Sequence, residues 1–154
     1  MDTQSSLMGK FDFLVGNWKL EYRVPKSAFS EAATGTGTGT IKRALGDKYV
    51  VFDYSASLSN GTSGGAHAIF AWDSRTAVYR YWWFEDSGNF MTATCRFLDD
   101  DTLFLNWHDT LLVQTFTKVG SHEVVLRMEH PIAPGKYELI LEVIFTREER
   151  PVSL

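Results

Sequence analysis

Arg96 is the residue of this 154-residue sequence with the most chemistry to offer. It lies in FMTATCRF (residues 90–97), where Thr92, Thr94 and Arg96 alternate with apolar side chains and so share one strand face. Upstream, AIFAWDSRTAVYRYWWF (residues 68–84) carries Phe70 and Trp72, then Tyr79, Tyr81 and Trp83, again at alternate positions. If these faces turn inward together, the guanidinium stands beside Tyr79. A buried, unpaired charge costs several kcal/mol, so Arg96 then needs a partner. An internal carboxylate or backbone carbonyl would serve. So would the carboxylate of an amphipathic ligand, held by two parallel N–H bonds.

The other reactive side chains are less organised. His67, His108, His122 and His130 are scattered, without the spacing of metal ligands. No metal or cofactor is therefore expected. Cys95 is the single cysteine and reads as a small apolar strand residue, because no base partner accompanies it. Asp99–Asp101 and the pair Glu85-Asp86 read as solvated turns. No acid–base pair or triad can be assembled, so an enzyme is the least supported class.

Whether Arg96 faces inward depends on the hairpins, because each turn dictates which residues pair. A four-residue loop between Asp73 and Val78 sets Trp72 opposite Tyr79, Phe70 opposite Tyr81 and Ala68 opposite Trp83. A two-residue turn at Ser87-Gly88 then sets Tyr81 opposite Thr94 and Tyr79 opposite Arg96. A second such turn at Asp100-Asp101 brings Trp107 opposite Thr94. The expected ligand-binding wall is Phe70, Trp72, Tyr79, Tyr81, Trp83, Thr94, Arg96 and Trp107. Buried Tyr and Trp need polar partners, so this mixture suits a wet cavity better than a dry core. The opposite face carries Ile69, Trp82 and Phe84 as an outward apolar strip, with Cys95, His67 and His108.

The remaining chain supplies the elements that hold this face. Leu7, Phe11 and Leu14 fall on one side of a short helix, with Ser5 or Ser6 as cap and Gly16 as its stop. Residues 1–4 read as frayed. Trp18, Leu20 and Tyr22 alternate with charged residues, marking a half-buried strand. TGTGTGT (residues 34–40) reads as a strand with threonines on one face and glycines on the other. Further apolar runs follow at short spacing to Thr146, and residues 147–154 read as a polar tail. The whole predicts one all-β domain, residues 1–154. It is a closed up-and-down antiparallel barrel of about ten strands, capped at one end by the helix. A barrel of that size leaves room for a cavity. Beyond Trp107 the register is not legible.

Composition narrows the partners. A net charge of −4 without a basic block argues against nucleic acid and against an anionic membrane. No apolar run reaches the length of a membrane span. The N-terminus lacks the basic and apolar regions of a signal peptide, so a cytoplasmic location is expected.

Leu14-Val15-Gly16-Asn17-Trp18 after a short helix resembles the Gly-x-Trp start of the calycin barrels, which include lipocalins, fatty-acid-binding proteins and the nitrobindin group. Together with TGTGTIKRALGDKYVVFDY and AIFAWDSRTAVYRYWW, it is similar to an uncharacterised bacterial family with a lipocalin-like barrel. The resemblance covers roughly residues 11–108. It implies a closed barrel with Trp18 plugging one end, and it brings no established activity. Fatty-acid-binding barrels hold a carboxylate with Arg and Tyr, which is the role the resemblance would give Arg96. Nitrobindin-like members bind haem through a histidine near the C-terminal end. Residues 137–146 contain none, and His130 lies in the preceding turn.

Three readings follow. The first is a barrel binding a small, partly apolar molecule, with a carboxylate as one option. The second is a non-enzymatic structural or interaction protein with a filled barrel and a homodimer face. The third is a haem-binding barrel.

Overall fold

A computed structural model describes residues 4–148. The expected frayed residues Met1–Thr3, and the tail beyond Glu148, lie outside the described residues. Gln4 is not frayed: it opens the helix α1 (Gln4–Gly9). Ten strands follow: β1 (Gly16–Val24), β2 (Ala33–Ala44), β3 (Tyr49–Leu58), β4 (Ser63–Asp73), β5 (Val78–Glu85), β6 (Phe90–Asp99), β7 (Thr102–Trp107), β8 (Val113–Gly120), β9 (Glu123–Ala133) and β10 (Lys136–Arg147). Consecutive strands pair antiparallel. β1 also pairs with β10, from Trp18 opposite Arg147 to Arg23 opposite Glu142. The barrel is thereby closed, as the turn spacing predicts, and no strand edge is left unpaired. No described helix is long and apolar enough to cross a membrane.

The predicted N-terminal helix is split. α1 ends at Gly9, the chain turns, and a single 3-10 turn spans Asp12–Leu14. Ser6 lies inside α1 instead of capping it. The apolar residues still converge. Phe11 and Leu14 are fully buried and Leu7 packs beside them. Phe11 is the centre of this plug. Its ring lies 4.9 Å from Phe70, 5.3 Å from Tyr79 and 5.0 Å from Phe97. The Tyr79 hydroxyl donates to the Leu7 carbonyl at 2.7 Å, tying α1 to the wall.

Gly16 does not stop the helix. It opens β1 at φ +150°, where a Cβ would stand 2.2 Å from Arg147 Nη1. Arg147 is also more than the start of a polar tail. Its guanidinium stacks 4.3 Å over Trp18 and donates to the carbonyls of Val15 and Phe13 at 2.6 and 3.3 Å. Trp18 in turn donates its indole N–H to Leu14 at 2.8 Å. The plug is thus bolted to both strands that close the barrel.

In β2 the threonines face outward and Gly35, Gly37 and Gly39 face the interior, opposite Tyr22, Leu20 and Trp18. Close approach dictates glycine here. A Cβ on Gly37 would meet the Ser55 carbonyl oxygen at 2.2 Å.

Register follows the expectation through the first hairpin and then departs from it. Trp72 pairs with Tyr79, Phe70 with Tyr81 and Ala68 with Trp83. The next loop has three residues, not two. The Gly88 amide donates to the Glu85 carbonyl, the Glu85 amide donates to Asn89, and Gly88 sits at φ +96°. This is a type I turn closed by a glycine in the left-handed region. One extra residue flips β6 onto its other face. Tyr79 therefore pairs with Cys95 and Tyr81 with Ala93, while Thr94 and Arg96 point outward. A β-bulge at Leu98 then absorbs the shift, so Leu103, Leu105 and Trp107 face inward after all.

Candidate functional site

The inner side chains do not fill the barrel. A cavity of about 270 Å³ lies in the half away from the plug. Its floor is aromatic. Phe116 and Phe145 line it, with ring centres 6.0 Å apart, and reach the plug half through Phe70 at 6.3 Å and Trp18 at 6.0 Å. Phe52 completes the floor, 5.8 Å from Phe145. Tyr22, Tyr54, Tyr81, Trp83 and Trp107 form one side of the wall. Leu126, Met128, Leu141 and Val143, from β9 and β10, form much of the other. At the rim, a second hollow of about 310 Å³ shares Tyr22, Tyr54 and Trp83 with the cavity and is edged by Glu85 and Asp86.

Polar contacts within the cavity are few and specific. Trp83 donates its indole N–H to the Tyr54 hydroxyl at 2.9 Å. Trp107 donates to Gln114 Oε1 at 3.2 Å. Gln114, only 3% exposed, is the one buried polar residue among those described. Tyr81 packs edge-on to Trp107 at 5.5 Å, and Trp107 edge-on to Trp83 at 6.4 Å. No lysine, arginine or histidine lines either hollow.

The eight residues of the expected wall separate into three groups. Tyr81, Trp83 and Trp107 line the cavity. Phe70, Trp72 and Tyr79 face inward but belong to the plug half, where Trp72 packs edge-on to Tyr79 at 4.8 Å. Thr94 and Arg96 are corrections. Both stand on the outer face, and Arg96 is exposed, its guanidinium 5.3 Å over the Phe104 ring. The cause is the three-residue loop at Asp86–Gly88. Cys95 takes the inward place instead and is buried, which pushes its thiol pKa up. That keeps it protonated and a poor nucleophile.

Tyr22, Tyr54 and Gln114 had not been singled out. Tyr22 was legible as the third member of the Trp18-Leu20-Tyr22 alternation. Gln114 lies beyond the point where register could be followed.

The histidine ligation of haem that the resemblance implies is not met, because among the described residues no histidine lines the cavity. His130 places its Nδ1 2.8 Å from the Pro131 carbonyl and packs against Phe29, so it turns toward the β1–β2 loop and away from the cavity. No three His, Cys, Asp or Glu side chains converge among the described residues. The expected outer strip is present: Ile69 lies beside Trp82, His67 beside Phe84, and Phe84 is 43% exposed.

Burial holds the titratable wall groups neutral. It raises the pKa of Tyr22, Tyr54 and Tyr81, and each of Tyr22 and Tyr81 also feels Tyr54. The folded chain therefore keeps protons that the unfolded chain releases above roughly pH 8.5 for a thiol and 10 for a phenol. Stability from these groups is complete below those values and falls as pH rises past them. The urea midpoint is expected to decline above about pH 9. A midpoint unchanged to pH 11 would contradict the burial of these groups.

No known family model matches the sequence, and no curated protein is significantly similar to it. Solved structures do match. Rv2717c from M. tuberculosis aligns at TM-score 0.61 with 10% identity, over 91% of this chain and 98% of that one. The S-type phycobiliprotein lyase CPES from Guillardia theta aligns at TM-score 0.55 with 9% identity, over 97% and 100%. EF1p2_mFAP2b bound to DFHBI aligns at 0.51 with 11% identity, over 93% and 100%. The likeness is one of fold. It covers nearly the whole barrel, and at these identities it carries no residue assignments.

Proposed function

We propose that this protein binds a small, mostly apolar molecule in the half of the barrel away from the plug. The observation that carries the reading is the cavity of about 270 Å³, walled almost wholly by aromatic and aliphatic side chains. Ligand pockets are typically apolar hollows of roughly 300–1,000 Å³ with a few placed polar groups, and this one lies at the small end. An apolar cavity of about 150 Å³ takes one benzene, so this cavity suits about two fused rings. That EF1p2_mFAP2b, a similarly folded chain, was solved with DFHBI bound is consistent with the reading. The lone cysteine accords with a reducing, cytoplasmic setting.

The test is a fluorescence titration with 1-naphthylamine, a dye of two fused rings whose emission at shorter wavelengths rises in apolar surroundings. A saturable rise is expected, with concurrent quenching of Trp83 and Trp107. No rise from the folded protein would sink the reading.

A second reading draws on the outer wall. Phe84 and Phe90 are 43% and 70% exposed beside Trp82, a concentration of large apolar groups on one face. If that face rather than the cavity is the working surface, sedimentation shows a concentration-dependent dimer and the dye finds no site.

A further inference from the structure

We infer that the ligand is an uncharged, planar molecule carrying a hydrogen-bond acceptor, received by the hydroxyls of Tyr81 and Tyr22. This rests on the binding reading above and narrows it to a chemical class.

The argument begins with unused donors. Three tyrosines contribute to the cavity wall, and Tyr54 is engaged as the acceptor of the Trp83 N–H. The hydroxyls of Tyr22 and Tyr81 have no hydrogen-bond partner among the described residues, although Tyr81 is only 2% exposed. No side-chain oxygen sealed from solvent-sized space lacks a partner. These two hydroxyls therefore open onto the cavity. A buried phenol needs an acceptor, and a carbonyl or ether oxygen at the end of a flat apolar ligand supplies one.

Charge narrows the class further. No cation lines the cavity or the rim hollow, whereas Glu85 and Asp86 stand at the rim. A carboxylate brought in would pass two like charges and end unpaired in an apolar site. Arg96, the cation expected to receive it, lies outside the barrel. The phenols remain neutral donors over the physiological range, because burial opposes their ionisation.

Four naphthalenes of similar size separate the possibilities, each competed against 1-naphthylamine at pH 7.5. They are naphthalene, 2-acetylnaphthalene, 2-naphthoate and 2-naphthylmethylammonium. The ketone is expected to displace the dye best, roughly 2- to 10-fold better than naphthalene, the usual worth of one net hydrogen bond. Naphthoate is expected to be weaker than the ketone by about tenfold or more. In Tyr81→Phe, and again in Tyr22→Phe, the ketone's advantage over naphthalene shrinks. Naphthoate or the ammonium displacing best would overturn the class while leaving the binding site standing. Equal displacement by naphthalene and the ketone would do the same. If the dye itself finds no site, both readings fall; a bound dye that none of the four displaces overturns the class alone.

Discussion

Phe11→Ala is expected to destabilise the fold by about 3–5 kcal/mol, the usual cost of removing a fully buried phenylalanine. The ring is 0% exposed and touches Phe70, Tyr79 and Phe97, three aromatics from three strands. It is also carried by a segment with little other means of adhesion. α1 has six residues, too few to persist unaided, and the Tyr79–Leu7 hydrogen bond ties it to the wall. Removing the ring therefore leaves a void and loosens the segment that closes the barrel end. At a urea slope of about 1–3 kcal/mol per M, the midpoint falls by roughly 1–5 M. A domain holding about 5–15 kcal/mol remains folded in buffer, so the loss is measurable. A shift below about 1 kcal/mol would show that the plug is not integral to the core.

The two halves of the barrel are expected to respond differently. The aromatic floor of Phe116, Phe145 and Phe52 separates the plug from the cavity. The Phe11 ring reaches that floor through Phe70. Dye binding to folded Phe11→Ala should therefore stay close to that of the parent protein, although stability falls sharply. On the proposed reading, the plug serves closure and the far half serves binding.

This division shows what could be read from sequence. Strand alternation and turn spacing were sufficient for the barrel, because period-2 patterning and Gly, Asn and Asp clusters survive without knowledge of pairing. Tyr81 and Trp83 were legible as inner residues for the same reason. Thr94 and Arg96 were misplaced by a single residue of loop length at Gly88. A two-residue and a three-residue turn use the same Ser-Gly signal, yet they put opposite faces inside. Trp107 came out on the correct side only because the bulge at Leu98 restored the phase. Bulges leave no clear mark in a sequence, so Gln114 and the β9–β10 wall stayed out of reach. Arg147 was missed for another reason. Its partners, Trp18 and the carbonyls of Phe13 and Val15, stand some 130 positions away and meet it only through closure of β1 on β10.

Val143→Phe should abolish binding while leaving the fold intact, and this result separates a hollow barrel from a filled one. Val143 is 1% exposed on the inner wall, paired with Leu126 on one side and Tyr22 on the other. In a filled core, an added ring forces strained rotamers and costs about 1–3 kcal/mol. Here the ring projects into a cavity of about 270 Å³. The phenyl ring reaches further into that space than the isopropyl group it replaces and leaves too little for two fused rings. It also covers apolar surface, each buried methylene contributing about 0.8 kcal/mol. Stability should thus hold or rise, while 1-naphthylamine affinity drops more than tenfold, over 1.4 kcal/mol. Loss of both stability and binding would mean that the barrel at this level is already packed. Retention of both would mean that the dye sits elsewhere, with the rim hollow beside Glu85 and Asp86 as the next place to substitute.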